Sequence, residues 1–349
     1  MGGHDGAAGP GADRQDGARI LLVTDAWYPQ VNGVVRTLEA LRSRLVLSGR
    51  EVRYVTPEGF RSVPCPTYPE IRLSVASPGT MGQIIGDFRP NAIHIATEGP
   101  LGLSARNWCR RHGLPFTTAF HTRFPEYIHA RWRIPATWTY AWLRWFHRPS
   151  SGVMVATQSI EDDLAARGFR RIRRWTRGVD TALFRPRPKN GLPYPRPISL
   201  FVGRVSVEKN IEDFLRLDID GTKVVVGDGP QRAALRARYP DVVFAGAKEG
   251  EELAQYYAAA DVFVFPSRTD TFGLVMLEAL ACGVPVAAYP VPGPRDVLDG
   301  AGAGCLDEDL GRAVRAALGV PPEICRAHAE RYSWDASVRQ FLDNIHVFR

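Results

Sequence analysis

Short runs of apolar residues alternate along the chain with segments in which apolar residues recur every three or four positions. Residues 20–24 form the first run, and residues 34–48 carry the first helical periodicity, which ends at Gly49. A continuous apolar run is typical of a strand that is buried on both faces of a parallel sheet. The pattern therefore predicts a strand, a loop and then a helix that ends at its C-terminal glycine.

The same alternation continues on both sides of a stretch rich in Pro and Gly, residues 185–197, which disfavours helix and sheet alike. Before this stretch, apolar runs predict strands at residues 51–55, 92–96, 116–120 and 152–156. After it, they predict strands at residues 198–202, 223–226, 242–245, 262–265 and 284–288. Strands that alternate with helices form parallel sheets, so we expect an α/β protein of two halves joined by a linker at residues 186–197.

Two such halves place a ligand site between them. Open parallel sheets bind ligands at the carboxyl ends of their strands, so halves that face each other form the site in the intervening cleft. The length of 349 residues fits two domains, since a domain has roughly 150 residues. We expect the first domain at residues 19–185, the second at residues 198–333 and a final helix at residues 334–349.

Composition narrows the class of protein. Hydrophobic residues make up 45% and charged residues 23% of the chain, which excludes wholesale disorder and a fibrous repeat. The five cysteines are scattered without a CxxC pair, so neither a disulfide framework nor a zinc site is expected, and a reducing cytoplasm fits best. Residues 1–18 lack the apolar block of a signal peptide, so we expect a flexible tail there. No run approaches the roughly 18 apolar residues that a membrane span needs.

Residues that suit a diphosphate follow the first predicted strand of the second half. That strand ends at Gly203, and Arg204 and Lys209 come directly after it. Gly203 permits close backbone approach, and the two cations can neutralise charge on phosphate oxygens. Two solvated surface cations are the alternative. A second strand that ends in a glycine turn, at residues 224–230, is explained equally well as a plain turn.

A polar loop follows the predicted strand at residues 262–265, and the pattern predicts a helix over residues 271–281. The N-terminus of a helix can bind phosphate through its free N–H groups. Asp270 and Glu278 are separated by slightly over two helical turns, so we expect both carboxylates on one face, where they can hold a sugar hydroxyl and a ribose. As alternatives, Asp270 caps the helix and Glu278 pairs with a surface base.

Five motifs in a fixed order carry a resemblance to a known family. They are YPQVNGV at residues 28–34, FHTRFPEY at residues 120–127, RGVD at residues 177–180, Gly203-Arg204 with Glu208-Lys209, and the block from Asp270 to Glu278. In these motifs the chain resembles the family 4 retaining glycosyltransferases of GT-B fold, from Arg19 onwards. The resemblance implies an acceptor-binding first domain, a nucleotide-sugar-binding second domain and a final helix that crosses back to the first domain.

The resemblance also implies roles for individual residues. Arg204 and Lys209 match the diphosphate ligands, Glu278 the ribose ligand, Gly33 the glycine beneath the phosphates, and His121 the active-site histidine near the sugar. The implied catalytic residues are His121, Arg204, Lys209 and Asp270, and the implied donor-binding residues are Gly33, Gly203, Phe272, Gly273, Leu274 and Glu278. Where the family usually has Glu, this chain has Asp270, which is one methylene shorter and bears on the choice of donor sugar.

A histidine and an acid at predicted strands, His94 and Glu98, could have either a structural or a functional role. A histidine after a buried strand is usually structural, and His94 keeps that interpretation, whereas the matching motif favours an active-site role for His121. Glu98 follows a predicted strand end and is a candidate acceptor contact, with a cap or a surface acid as the alternative. Arg123, within the second motif, is a further candidate contact to the acceptor.

No carboxylate pair or nucleophile with its base is evident around the sugar position, which argues against a covalent glycosyl-enzyme. We expect the nucleoside diphosphate to depart as an anion stabilised by Arg204, Lys209 and helix N–H groups, while the acceptor hydroxyl attacks from the same face. Because these cations supply the positive charge, neither a metal ion nor any other cofactor is expected.

The net charge of +7 is concentrated in two segments that mix arginine with aromatic residues. The first holds Arg131, Trp132, Arg133, Trp138, Tyr140, Trp142, Arg144, Trp145, Phe146, His147 and Arg148, and the second Arg167, Arg170, Arg171, Arg173, Arg174, Trp175 and Arg177. This composition is typical of a membrane interface, and each basic residue near an anionic surface contributes about 1 kcal/mol. The alternative is that the aromatic residues are core and the arginines a solvated face. No nucleic-acid module accompanies the charge, so no nucleic-acid partner is expected.

The leading hypothesis is an enzyme at the inner face of the cell membrane that moves a hexosyl or hexuronosyl unit from a UDP- or GDP-sugar to a lipid hydroxyl, such as that of diacylglycerol. Relatives in the family that glycosylate diacylglycerol or phosphatidylinositol favour a lipid acceptor. A GDP-mannose-dependent mannosyltransferase acting on a phosphatidylinositol-type or other glycan acceptor, a nucleotide-sugar 2-epimerase and a non-catalytic sugar-nucleotide binding protein are the alternatives.

Overall fold

The computed structural model describes residues 18–30, 32–64, 72–126, 128 and 133–348. Several residues of the sequence interpretation lie outside the described residues: residues 1–17 of the expected tail, Val31, Cys65 (one of the five cysteines), Tyr127, Arg131, Trp132 and Arg349, the last residue of the expected final helix. Ala18, the last residue assigned to the tail, is buried against the core of the first domain.

The first half of the chain forms a parallel sheet. Its strands and the hairpin beside it are β1 (Arg19–Val23), β2 (Glu51–Val55), β3 (Ser62–Pro64), β4 (Arg72–Ser74), β5 (Ala92–Ile95), β6 (Thr117–Phe120), β7 (Gly152–Val155) and β8 (Ile172–Arg174). Within the described residues the sheet has six strands in the order β2-β1-β5-β6-β7-β8, and β3 pairs with β4 in an antiparallel hairpin. The helices are α1 (Gly33–Leu47), α2 (Pro78–Phe88), α3 (Pro100–Arg111), α4 (Ala136–His147) and α5 (Gln158–Ala166).

The second half repeats this architecture. Its strands are β9 (Ile198–Val202), β10 (Thr222–Val226), β11 (Val243–Gly246), β12 (Val262–Phe265), β13 (Val286–Ala288) and β14 (Gly304–Leu306). In the described part they form a six-stranded parallel sheet in the order β11-β10-β9-β12-β13-β14. A 3-10 helix lies at Val207–Lys209, and the α-helices are α6 (Ile211–Leu215), α7 (Arg232–Arg238), α8 (Gly250–Ala259), α9 (Leu274–Ala281), α10 (Pro292–Leu298), α11 (Leu310–Ala317), α12 (Pro322–Ala329) and α13 (Trp334–Asn344).

Burial explains why the central strands were visible in the sequence. Every residue of β9 is buried, and in β1 the residues from Ile20 to Val23 are 0% exposed, because helices cover both faces of each sheet. The prediction of an α/β protein with two parallel sheets is confirmed. The pattern missed the two outer strands β8 and β14, which are three residues long and half-buried at the sheet edges.

The predicted start of α9 is wrong. The helix begins at Leu274, since the preceding Gly273 has a φ of +87°, which lies outside the helical region. Asp270 therefore lies in the loop before the helix and does not share a helical face with Glu278. The interpretation of Asp270 as the helix cap is also wrong, because Gly273 occupies the N-cap position without any side-chain cap.

The last helix, α13, belongs to the core of the first domain. Phe341 is 0% exposed and packs with the β1 residues Ile20 and Leu22 in that core, and Ser337 accepts a hydrogen bond from the Trp175 indole at 3.1 Å. Beyond the helix, Val347 forms a bridge with Ala92 of β5. The chain thus returns to the first sheet after completing the second. The helix begins at Trp334 as predicted and ends at Asn344, before the predicted end at residue 349.

Candidate active site

The loops at the carboxyl ends of the two sheets touch each other. Thr271, in the loop between β12 and α9, donates a hydrogen bond from its hydroxyl to the backbone oxygen of His121, which follows β6, at 2.7 Å. Gly33, at the start of α1, lies close enough to Leu274 that an added Cβ would be 3.7 Å from its Cδ1. Because these loops follow strands of different sheets, the carboxyl edges face each other across one cleft.

Lys209 and Asp270 meet inside this junction. The Lys209 ammonium, at the end of the 3-10 helix, lies 2.5 Å from Oδ1 of Asp270. The other carboxylate oxygen, Oδ2, is buried and has no hydrogen-bond partner among the described residues. An unpaired buried acceptor costs about 1–3 kcal/mol, which a hydroxyl donor at this oxygen would offset. Asp270 is thus placed to hold Lys209 with one oxygen and a hydroxyl group with the other.

Arg204 is half-buried in the loop that leaves β9 at Gly203. The glycine turn after β10 supports this loop: Val205 donates to the backbone oxygen of Asp228 at 2.9 Å. A Cβ on Gly227 would lie only 1.9 Å from the oxygen of Gly203, so the two loops can approach this closely only with glycine at that position. The glycine turn after β10, for which the sequence allowed the interpretation of a plain turn, therefore packs against the loop that carries Arg204 and fixes its position.

Glu278 lies on α9 and is only 7% exposed. Its Oε1 accepts from Nη1 of Arg36 at 2.7 Å, and its Oε2 accepts from the Tyr257 hydroxyl at 2.7 Å. The alternative that Glu278 pairs with a surface base is right in part: its partner is an arginine, but Arg36 is only 32% exposed and belongs to the other domain, and the second partner is a core tyrosine. Sequence reasoning missed both partners; the only available signal was that Arg36 lies one helical turn beyond Gly33.

His121 is held as a neutral ring. Its Nδ1 lies 3.0 Å from Nη2 of Arg177, and its Nε2 is buried without a hydrogen-bond partner among the described residues. Burial, the Arg177 charge and His94 keep the pKa of His121 well below its usual value. A guanidinium only donates hydrogen bonds, so Nδ1 must accept, and the single proton of the neutral ring lies on Nε2. His121 thus presents an unused N–H donor in the cleft region.

Trp175 and Arg177 belong to the second basic segment, but both are buried: the core alternative is right for Trp175, whereas Arg177 lies neither at a membrane interface nor on a solvated face. Trp175 is 1% and Arg177 5% exposed, and the guanidinium donates to the backbone oxygen of Trp175 at 2.6 Å while lying over its ring. Burial lowers the pKa of Arg177 to about 9. Both residues contact His121: Arg177 donates to its Nδ1, and the Trp175 ring lies against it with the ring centroids 5.6 Å apart. His94 is structural as expected: it is fully buried and its Nδ1 lies 2.9 Å from the Thr117 hydroxyl.

The two candidate acceptor residues bond within the first domain. Glu98, which follows β5, is buried, and its Oε1 lies 3.2 Å from Nε2 of His147 at the end of α4. Arg123 lies between Glu126 and Asp163, with nitrogen to oxygen distances of 3.7 and 3.8 Å. Phe272 packs in the core of the second domain. The structure therefore brings Lys209, Asp270 and the His121 loop together, and leaves the Glu98 carboxylate turned towards His147.

Asp25 is a buried acid that the sequence interpretation did not single out. It follows β1, and its Oδ1 accepts from the backbone N–H of Leu101 at 2.8 Å, so it caps the first turn of α3 from a distant part of the chain. Burial raises the pKa of Asp25 to about 6. The first turn of α3 is thereby tied to the end of β1.

Helix α4 divides its aromatic residues between core and surface. Trp138, Trp142 and Trp145 are 71%, 42% and 46% exposed, and their spacing of four and three residues places them on one face. Tyr140, Phe146 and His147 face inward and are buried. The core alternative is therefore right for half of the aromatic residues in this helix and wrong for the other half.

Among the described residues, no group of three or more His, Cys, Asp and Glu side chains is placed to hold a metal ion. Within the same residues, none of the helices combines the length and apolar composition needed to cross a bilayer.

Comparison with known proteins agrees with this geometry. The model of "Glycosyltransferase Family 4" matches residues 31–183, and that of "Glycosyl transferases group 1" matches residues 196–319. A GDP-mannose-dependent alpha-mannosyltransferase of Mycobacterium tuberculosis is 33% identical over 309 residues, which cover 81% of this chain and 82% of that protein. An alpha-monoglucosyldiacylglycerol synthase of Streptococcus pneumoniae is 28% identical, over 95% of this chain and 85% of that protein.

A sucrose-phosphate synthase structure from Thermosynechococcus elongatus superimposes with a TM-score of 0.73 at 20% identity, covering 93% of this chain and 97% of that one. With both family models matched in order and a third of the residues identical to the mycobacterial protein, the chain belongs to glycosyltransferase family 4 and has the GT-B fold.

Proposed function

We propose that this enzyme transfers a hexosyl unit from a nucleoside diphosphate sugar to a hydroxyl of a membrane lipid, with retention of the anomeric configuration. The observation that carries the proposal is the junction of the Lys209–Asp270 pair with the His121 loop at the carboxyl edges of both sheets. A cation, an unpaired carboxylate oxygen and an N–H donor lie on these touching loops. This is the chemistry that a diphosphate joined to a sugar requires.

In this mechanism the bond between the anomeric carbon and the diphosphate oxygen breaks, and its electron pair stays on the diphosphate. Arg204 and Lys209 stabilise that negative charge as it develops. The acceptor hydroxyl forms the new bond from the same face, and its proton passes to the departing phosphate oxygen. Asp270 Oδ2 accepts from a sugar hydroxyl, Nε2–H of His121 donates to a sugar oxygen, and Glu278 accepts from the ribose.

In this mechanism, the cationic side chains of Arg204 and Lys209 stabilise the negative charge of the leaving group. Two cations at the end of one strand supply the stabilisation that a divalent ion provides in many other transferases. We therefore expect transfer to continue at an unchanged rate in excess chelator. Loss of activity on chelation, restored by Mg²⁺ or Mn²⁺, would contradict this part of the proposal.

A lipid acceptor is supported by the surface of α4. The stripe of Trp138, Trp142 and Trp145 is bordered by the exposed arginines Arg133, Arg144, Arg148, Arg170 and Arg171. Arg144 donates to the backbone oxygen of Arg167 at 2.9 Å, and Arg171 donates to that of Arg148 at 3.0 Å, so the two basic segments form one surface. Exposed tryptophan beside arginine favours an anionic bilayer. The name of the pneumococcal relative, an alpha-monoglucosyldiacylglycerol synthase, agrees with such an acceptor.

Vesicle flotation tests the docking surface. The double variant Trp138→Ala/Trp142→Ala should lose most binding to vesicles of anionic phospholipid, while Leu47→Ala should bind as the unmodified enzyme does. Leu47 is a matched control because it is 85% exposed at the far end of α1. Equal binding of all three proteins, or binding that ignores lipid charge, would contradict the docking surface.

Transfer itself is tested with labelled donors and a membrane lipid extract. GDP-mannose is the first donor to test because the mycobacterial relative is named for it, and UDP-glucose is the second. The proposal predicts a labelled lipid that forms only with the extract present. An altered sugar nucleotide without acceptor would indicate an epimerase, and donor binding without any product would indicate a binding protein; either result would overturn the proposal.

A further inference from the structure

Arg36 reaches from the first domain to a carboxylate of the second. It lies on α1, one turn beyond Gly33, and its Nη1 is 2.7 Å from Oε1 of Glu278. The side chain of Arg36 is 32% exposed and that of Glu278 is 9% exposed. The two residues are 242 positions apart in the sequence, so the contact exists only while the domains are together.

Both oxygens of Glu278 already have a partner. Oε1 accepts from Arg36, and Oε2 accepts from the hydroxyl of Tyr257 at 2.7 Å. Each carboxylate oxygen can accept a second hydrogen bond, so the side from which each partner approaches matters. Arg36 reaches Oε1 from the first domain, across the cleft in which a nucleotide would lie, so a ribose that donates its hydroxyls to this carboxylate must compete with Arg36. The opposite charge of Arg36 also holds the carboxylate in place, as the raised pKa of the Arg36 guanidinium beside Glu278 reflects.

The difference in burial between Tyr257 and Arg36 indicates which of the two can move away from Glu278 when a ribose binds. Tyr257 is 0% exposed, lies in the core of the second domain and packs against Phe184 and Phe263, so it cannot leave without opening that core. Arg36 has a flexible stem, is partly in contact with solvent and belongs to the other domain. Its guanidinium can therefore move away at a smaller cost in packing.

We propose that Arg36 is a positioning residue that acts through Glu278: it holds the carboxylate and the two domains together in the empty enzyme, and releases the carboxylate to the ribose hydroxyls when the donor binds. The inference rests on the proposed function, since it takes Glu278 as the ribose ligand. Donor binding then exchanges an ion pair between domains for hydrogen bonds to the nucleotide. The strength of the Arg36–Glu278 pair opposes donor binding and so sets the donor affinity.

The test compares Arg36→Met, which keeps the apolar stem but removes the charge, with Arg36→Lys, which keeps a cation. Calorimetric titration with GDP and with UDP measures affinity, and steady-state transfer separates KM from kcat. Removing the competitor should tighten binding of the preferred nucleotide by about fivefold and lower the donor KM, as expected for loss of one partly exposed ion pair. Arg36→Lys should return both values towards those of the unmodified enzyme.

Two controls separate competition from general structural damage. Arg44→Met removes another ion pair of the same helix, the 3.1 Å contact with Asp335. Ser159→Ala removes another contact between domains, the 2.8 Å hydrogen bond to Asp296. Neither control touches Glu278, so neither should tighten nucleotide binding, whereas a merely structural role for Arg36 predicts the same result for all three variants.

The outcomes are distinguishable. Nucleotide binding by the unmodified enzyme with equal or weaker binding by Arg36→Met overturns the role of Arg36 and leaves the proposed function standing. No binding of either nucleotide by the unmodified enzyme overturns the proposed function and the inference together. Tighter binding by Arg36→Met alone supports the inference.

Discussion

At the scale of single residues, two polar side chains of the site each have one buried atom without a hydrogen-bond partner among the described residues. Asp270 uses one oxygen on Lys209 and leaves the other unpaired, and His121 uses one nitrogen on Arg177 and leaves the other unpaired. A buried polar group without a partner destabilises the folded protein by about 1–3 kcal/mol. Two such groups lie on touching loops. A polar ligand that forms hydrogen bonds with both would remove this destabilisation.

Replacing either of the two cations that we propose to stabilise the departing diphosphate, Arg204 and Lys209, should slow transfer. Arg204→Ala and Lys209→Ala should each lower kcat by about 10²–10³, because removing one preorganised donor at a developing charge has that effect. Arg216→Ala is the matched control, since Arg216 is an exposed arginine of the same domain that pairs with Glu212. Steady-state transfer assays measure the effect, and near-parental turnover in either site variant would contradict the assignment.

His94 should make the stability of the first domain depend on pH. Burial lowers its pKa to about 3, from 6.5, so in mildly acidic solution the unfolded chain binds a proton that the folded chain does not. The resulting loss of stability begins as the pH falls through 6.5 and continues towards pH 3. Between pH 7 and pH 5 it amounts to about 2 kcal/mol.

Urea unfolding at the two pH values measures this effect. In His94→Gln, which cannot titrate, the difference in the free energy of unfolding between pH 7 and pH 5 should be about 2 kcal/mol smaller than in the unmodified protein. An unchanged difference would show that His94 takes up its proton equally in the folded and unfolded states.

The sequence revealed the roles of residues that lie close together along the chain, and it did not reveal roles that depend on a distant partner. Arg204 and Lys209 lie five positions apart at one strand end, and the pattern with the family motif was sufficient to single them out. Arg36 and Tyr257 acquire their roles only through a carboxylate far away in the chain, and no local pattern marks such a contact. The burial of Arg177 was hidden for the same reason, because its partner His121 is 56 positions away.

At the scale of elements, the loops after β9 and β10 act as one unit. Gly227→Ala should disrupt it, because the new Cβ would lie 1.9 Å from the oxygen of Gly203, a backbone atom that cannot rotate away. We expect a loss in kcat from displacement of Arg204, together with a loss of stability beyond the about 1–2 kcal/mol that a left-handed residue costs.

Gly300→Ala is the control for Gly227→Ala. Gly300 also has a positive φ, +67°, but nothing lies within 4 Å of its added Cβ. It should lose stability through backbone strain alone and retain its transfer rate. Equal kcat values for the two variants would show that the β10 turn does not brace the Arg204 loop.

Helix α4 and the start of α9 show what periodicity can and cannot establish. The sequence left open whether the aromatic residues of α4 lie at a membrane interface or in the core, and packing divides them between an exposed face and a buried face. The first turn predicted for α9 failed because Gly273 takes a left-handed conformation, which a run of helix-compatible residues does not reveal. The placement of Asp270 in a loop follows from that one backbone angle.

At the scale of the whole molecule, the last helix ties the two domains into one structure. Phe341→Ala should destabilise the first domain by about 3–5 kcal/mol, because the ring is 0% exposed and lies in the core beneath β1. Hydrogen exchange should accelerate in β1 and α1 and remain slow in α11, although Phe341 follows α11 in the sequence. Faster exchange in α11 alone would contradict this assignment.

The sequence predicted two halves with parallel sheets, because buried strands leave local signals, and the linker at residues 186–197 stays a prediction. It did not predict which loops would meet across the cleft. The contacts of Thr271 with His121 and of Arg36 with Glu278 depend on how the two sheets are oriented, and that orientation is a property of the packed molecule.

The central claim is that the enzyme moves a hexose from a nucleotide sugar to a lipid through departure of the diphosphate and attack from the same face. NMR of the first glycolipid formed from an α-linked donor tests it most directly, because the one-bond coupling between the anomeric carbon and its proton reports the configuration of the new bond for glucose and mannose alike. The account predicts an α-linked lipid product. A β-linked product, or sugar released only into water, would contradict it.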